Sequence, residues 1–152
     1  MGGFQGLSDV VGTTETAATD PGKAMGTAAT KYVNKELLDY DANRKIRIRF
    51  SIMPQKLADK LEPGTSKILD RIKAVNDFYE AGYDVHLNYS PVIVHEESKG
   101  MYTDLFETVD KYVNSDIKES VKCEVIFLTH NNKMHQYNLD NNKTSMSIKD
   151  CI

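Results

Sequence analysis

The stretch KIRIRFSIMP, residues 45–54, decides the fold class. Ile46, Ile48, Phe50 and Ile52 alternate with Arg47, Arg49 and Ser51, a period of two that predicts a strand over 46–52. A half-solvated antiparallel strand would send both arginines to water. The other reading is that the polar side lines a cavity, and the neighbouring segments choose between the two.

Downstream, Pro54 can open a short helix through Leu61, since its fixed φ suits a first helical turn. The turn EPGTS at 62–66 follows, with Thr65 or Ser66 as the expected N-cap of a longer helix. Ile68, Leu69, Ile72, Val75, Phe78 and Tyr79 form its apolar stripe, and Gly82 stands where a helix stop belongs. YDVHLNYSPVIV at 83–94 alternates again: Val85, Leu87 and Tyr89 on one side, His86, Asn88 and Ser90 on the other, with Pro91 limiting its run. A second amphipathic helix carries Tyr102, Leu105, Phe106, Val109, Tyr112 and Val113, and VKCEVIFLTH at 121–130 reads as a third strand.

Strands separated by helices of this length predict βα units and a parallel sheet. One face of such a sheet is apolar because helices cover it. The opposite face of a closed barrel is filled mostly by branched aliphatics. Here that second face carries Arg, Arg, Ser and then His, Asn, Ser. The expectation is therefore an α/β fold in the form of an open, incomplete barrel around a polar ligand. Ser51 and Ser90 lie at the C-terminal strand ends, where barrels bind ligands.

A length of 152 residues, 40% hydrophobic and 27% charged, fits one soluble globular domain. The formal net charge of -3 gives no electrostatic case for nucleic acid. No apolar run reaches membrane-spanning length and the start lacks a signal-peptide layout, so no membrane partner and a cytoplasmic location are expected. Cys123 and Cys151 are too few and too far apart for a disulfide scaffold or a zinc site. Residues 1–30, rich in Gly, Ala and Thr, read as a weakly structured remnant of an early βα unit; 31–139 form the organised region, and 140–152 a coil tail.

SDVVG at 8–12, TKY at 30–32, RIRFSIMP at 47–54, EPGTS at 62–66, AGYDVHLNYSPVIVHE at 81–96 and FLTHNNKMHQYNL at 127–139 together resemble the spore photoproduct lyase family of radical S-adenosylmethionine proteins. They occur in that family's order, and the FLTHN segment is similar to its broader lyase-like branch. The resemblance implies a partial (βα) barrel of the radical SAM type, of which about four of six βα units are present here. It implies S-adenosylmethionine and a 4Fe–4S cluster as cofactors, and hydrogen abstraction from a thymine dimer in DNA as the activity of the intact family. It assigns Ser8, Lys31 and Ser51 to the methionine portion of the cofactor and brings Ser90 near it. A lysine can pair with the ligand carboxylate, and hydroxyls can bond the carboxylate or amino group.

Several departures bear on activity. The family's CxxxCxxC cluster loop is absent, and Cys123 and Cys151 cannot supply the three thiolates it needs. The family's hydrogen-donating cysteine falls at Gly6. Gly12 to Lys31 is shorter than the family's unit, and KTSMSIKDCI lacks its basic, aromatic C-terminal region. The chain thus reads as part of a barrel cut at both ends: a split gene product, a degenerate copy or a truncation. No catalytic or metal-ligating residue is assigned, and the isolated chain is expected to be inactive. It is expected to associate with itself or with a complementary N-terminal barrel segment. The alternative is a non-catalytic barrel remnant that binds a small ligand or a partner chain.

Single residues carry competing readings. Arg47 and Arg49 either meet a phosphate or carboxylate or pair with acidic neighbours. His86 either lines the lumen or is a hydrogen-bonded structural histidine. His95 and Glu96 resemble the family's HEG segment and take no role. His130 and His135 have metal-like spacing but no acidic or sulfur ligands beside them, which favours loop structure. Cys123 alternates with Val121, Val125 and Phe127 and is expected to be a buried small hydrophobe.

Overall fold

The structure, a computed structural model, describes residues 26–127 together with 133, 136, 137 and 140. Its frame is four parallel strands: β1 (Gly26–Thr30), β2 (Ile46–Ile52), β3 (Asp84–Val92) and β4 (Lys122–Phe127), in the order β1-β2-β3-β4. Each strand pairs in parallel with the next. An unreversed order is that of a barrel wall, since a doubly wound sheet reverses its strand order at the ligand crevice. The α/β parallel-sheet expectation holds, and β2 has the bounds the alternation marked out.

The crossovers supply the helices. A 3-10 turn (Lys35–Asp39) links β1 to β2; α1 (Gln55–Leu61) and α2 (Ile68–Glu80) link β2 to β3; α3 (Ser98–Tyr112) and α4 (Ser115–Lys118) link β3 to β4. Ile48, Phe50 and Ile52 of β2 and Val85, Leu87 and Tyr89 of β3 pack with Ile72, Val75 and Phe78 of α2 and Leu105 of α3 in one buried cluster. Phe50 meets Phe78 edge-on with ring centroids 5.2 Å apart, and Phe78 is tilted against Tyr83 at the same distance. One apolar face is therefore covered by helices, and burying each of its large side chains contributes about 1.5–3 kcal/mol.

Below the sheet, α2 ends at Ala81, and Gly82 takes φ +85°, where a Cβ would press on Asp41 Oδ1 at 3.2 Å. That glycine is the expected helix stop, and its left-handed backbone explains the residue choice.

Four expectations change. The sheet begins at Gly26, inside the stretch read as weakly structured, because parallel pairing to β2 supplies the order its composition does not. Neither Thr65 nor Ser66 caps α2: Lys67 is the cap residue and makes no side-chain cap bond. Cys123 is exposed. It lies on the face that alternation assigned, but β4 has no helix over it among the described residues, so Val125 (56% exposed) and Phe127 (59%) are bare too. Phe106, on the predicted stripe of α3, tilts against Tyr89 at 5.0 Å and is 51% exposed for the same reason.

Candidate functional site

At the C-terminal ends of β1 and β2 the chain gathers a buried polar node around Arg71 of α2. That guanidinium is fully buried and donates from Nη1 to the carbonyl of Ser51 at 2.7 Å and to Glu62 Oε2 at 3.1 Å. Its Nε donates to the carbonyl of Ser66 at 2.9 Å, and its Nη2 to Thr65 Oγ1 at 2.6 Å. The turn after α1 exists to meet it: Gly64 turns the chain at φ +84°, and Thr65 and Ser66 present their oxygens inward.

Glu62 carries the node across to β1. Its Oε1 lies 2.5 Å from Lys31 Nζ as an ion pair without hydrogen-bond alignment. The Glu62 side chain is only 5% exposed, whereas that of Lys31 is 44% exposed and has donors to spare. Ser66 also laces the loop after β1, giving its N–H to the carbonyl of Lys31 at 3.1 Å and accepting from the Val33 N–H at 3.0 Å. Lys31, just past the end of β1, and Ser51 of β2 thus belong to one network.

The polar face of the sheet leads up to this node in register. Thr27, Arg47 and Asp84 are cross-strand neighbours; Ala29, Arg49, His86 and Lys122 form the next level; Ser51, Asn88 and Glu124 the one above. Arg47 Nε donates to Asp84 Oδ2 at 2.8 Å, and Arg49 Nη1 faces Glu124 Oε2 at 3.6 Å. The acidic-neighbour reading of both arginines is therefore the one realised. Burial, followed by the cation of Arg47, holds His86 below its ordinary pKa, so it is neutral and offers one donor and one acceptor.

Several buried atoms on this face have no hydrogen-bond partner among the described residues: Thr27 Oγ1, Arg49 Nε, both ring nitrogens of His86 and Asn88 Oδ1. Asp84 Oδ1 lies 3.3 Å from His86 Nε2 but is misaligned for a hydrogen bond. Buried polar groups are satisfied by protein, water or ligand. A face with five such atoms is built to receive polar guests.

The remaining expected positions divide. Ser51 is buried at the end of β2, and Ser90 is half-buried on β3, where the pairing to β4 shifts register between Tyr89 and Val92. Tyr102 pins that irregular strand end, its hydroxyl accepting from the Ile93 N–H at 3.2 Å and donating to the Pro91 carbonyl at 3.3 Å. His95 shapes the turn into α3 by accepting from the Glu97 N–H at Nδ1. Ser8, Gly6, Cys151, His130 and His135 lie outside the described residues. Sequence reasoning passed over Glu62 and Arg71. The signal was present: Arg71 sits at i+3 from Ile68 and one residue before Ile72, a cation inside an apolar stripe, which needs a buried acid.

Comparison with known proteins agrees with this geometry. The family model described as spore photoproduct lyase matches residues 16–149. The spore photoproduct lyase of Bacillus subtilis (strain 168) is 36% identical over 90 residues, covering 59% of this chain and 26% of that protein. The spore photoproduct lyase of Geobacillus sp. (strain Y412MC61) is 32% identical over 110 residues, 72% of this chain and 32% of that protein. A solved spore photoproduct lyase mutant with bound AdoMet and dinucleoside spore photoproduct superimposes with a TM-score of 0.70 at 28% identity, covering 87% of this chain and 39% of that one. The chain thus spans only 26% and 32% of the two curated relatives.

Proposed function

Because the chain belongs to the spore photoproduct lyase family, we propose that it forms the cofactor-holding wall of a radical SAM lyase whose intact form repairs thymine-dimer lesions in DNA. The observation that carries this reading is the joining of Lys31 and Ser51 through Glu62 and Arg71 at the C-terminal ends of β1 and β2. Lys31 would hold the carboxylate of S-adenosylmethionine, Ser51 and Ser8 would bond its carboxylate or amino group, and Ser90 would border it. The residues fit that group: a half-exposed ammonium with free donors stands beside a polar face with unpartnered buried atoms. Bound there, S-adenosylmethionine supplies the hydrogen-abstracting chemistry of the family.

A 4Fe–4S cluster does not fit this chain's residues. Cys123 lies on β4, on the face opposite the polar one, and no group of three or more His, Cys, Asp or Glu among the described residues can hold a metal. No step is therefore routed through a cluster, and the residues of this chain bind and orient. Two measurements test the reading. Ligand-observed NMR with S-adenosylmethionine, sensitive into the millimolar range, should detect binding that Lys31→Met weakens. Reconstitution with iron and sulfide should give no cluster absorption and no deoxyadenosine under reduction. No binding refutes the cofactor site; a cluster spectrum refutes the division of labour.

A second reading rests on the bare surface of β4. Val125 and Phe127 are exposed and line one groove with Phe106, and Ile126 is exposed as well. An uncovered strand with apolar residues is a pairing surface, and it favours association with another copy or with a complementary barrel segment.

A further inference from the structure

The geometry points to Glu62 and Arg71 as positioning residues that fix Lys31 for a ligand carboxylate; this rests on the cofactor reading above and deepens it. Arg71, Glu62 and Lys31 form a row of cation, carboxylate and cation. Two positive charges on one carboxylate leave a single uncompensated charge, and it resides on Lys31, the one member open to solvent. Glu62 is held rigidly, because its Oε2 takes a hydrogen bond from a fully buried guanidinium that is itself anchored to the Ser51 and Ser66 carbonyls and the Thr65 hydroxyl. Lys31 is by nature a flexible four-carbon stem. Ion-paired at 2.5 Å with the fixed Oε1 and 44% exposed, its ammonium has three donors to offer a ligand. The same guanidinium holds the carbonyl of Ser51, so one buried side chain sets the spacing between the two ligand-facing strand ends. The ligand class this selects is a small molecule with a carboxylate beside an amine, as in the methionine portion of S-adenosylmethionine.

The test compares S-adenosylmethionine with its decarboxylated analogue on the full chain by ligand-observed NMR. The readout is the ratio of the two affinities, which a partial loss of folded protein does not alter. Wild type should prefer the carboxylated ligand by about ten- to a hundredfold, the range of a charged hydrogen bond. Lys31→Met should abolish the preference. The decisive variant is Arg71→Met with Glu62→Gln. It removes one positive and one negative charge, so the net charge is unchanged and Lys31 keeps its own, while its tether and the anchor on the Ser51 carbonyl are gone. The preference should fall about two- to tenfold, the scale of ordering one long side chain, while affinity for the decarboxylated ligand stays put. Glu62→Asp, which keeps the charge beside Arg71 but withdraws it from Lys31 by one methylene, should fall the same way should the double variant fold poorly. A full preference in both variants, with Lys31→Met having lost it, overturns the positioning role and leaves the cofactor site standing. A preference that survives Lys31→Met, or no binding by wild type, overturns the cofactor site and this inference with it.

Discussion

Replacing Arg71 with Ala should destabilise the fold more than any surface change, and the structure gives the size. The substitution strips the hydrogen bond from Glu62 Oε2, from two main-chain carbonyls and from the Thr65 hydroxyl, and leaves a carboxylate whose side chain is 5% exposed. Removing one partner of a buried ion pair costs about 3–5 kcal/mol. Lys31 remains on Oε1 but is half in water, so its screened charge offsets only part of that, and the low end of about 3 kcal/mol applies. At about 2–4 °C per kcal/mol for a chain of this length, the midpoint should drop by about 6–12 °C. A domain holds only about 5–15 kcal/mol in total, so the loss is large but leaves most of the protein folded. Urea unfolding followed by circular dichroism, with the slope unchanged, measures it. Arg71→Met combined with Glu62→Gln should return to within about 1 kcal/mol of wild type, because a neutral pair needs no partner charge. A single variant within about 0.5 kcal/mol of wild type, or a double variant as unstable as the single, would refute the claim that the node is a buried charge pair.

Three further outcomes follow from other parts of the molecule. His86 has its pKa lowered by burial and then by Arg47 from 6.5, so below that value the unfolded chain takes up a proton that the fold resists. Stability should therefore fall as pH drops through about 6.5 and below, and His86→Gln should flatten that slope in urea titrations across pH; an unchanged slope counts against it. Gly82→Ala should cost about 1 kcal/mol, from the positive φ and the approach of Asp41 Oδ1; a stabilised variant in the same assay would show that the turn relaxes. Phe127→Lys should shift sedimentation towards monomer at equal concentration, and a wild-type chain that is already monomeric at high concentration removes the case for pairing at β4.

What could be read from the residues follows the range of the forces involved. Alternation is local, so β2 was legible to the residue and the faces of β3 were too, while the strand read at 121–130 runs Lys122–Phe127 among the described residues. The polar side of β2 proved to be half-buried because of its neighbours: Arg47 found Asp84 and Arg49 found Glu124 only once the register of three strands was fixed. Pro91 was expected to limit the run of β3. The strand runs one residue further because the pairing to β4 shifts register there, and Tyr102, eleven residues on, accepts the Ile93 N–H and donates to the Pro91 carbonyl. Thr65 and Ser66 were read as caps since small hydroxyls at a helix start serve that use most often. A buried guanidinium takes the Thr65 hydroxyl instead, and the Ser66 hydroxyl accepts from the Val33 N–H.

Cys123 shows the converse limit. Its place in the pattern is that of a core residue and its side is correctly assigned, yet it is exposed. Period tells which side of a strand a residue is on, whereas burial depends on what lies against that side. β2 and β3 have α2 and α3 against theirs, and the described residues put nothing comparable against β4. The same sequence pattern therefore yields a sealed core in the middle of the sheet and an apolar surface at its edge. The node at β1 and β2 joins Arg71, Glu62 and the Ser51 carbonyl, with Lys31 at its exposed rim, while β4 is paired to β3 and uncovered on its apolar side among the described residues. A sheet with a buried polar node at one end and a bare apolar margin at the other matches part of the solved relative's fold, 39% of that chain.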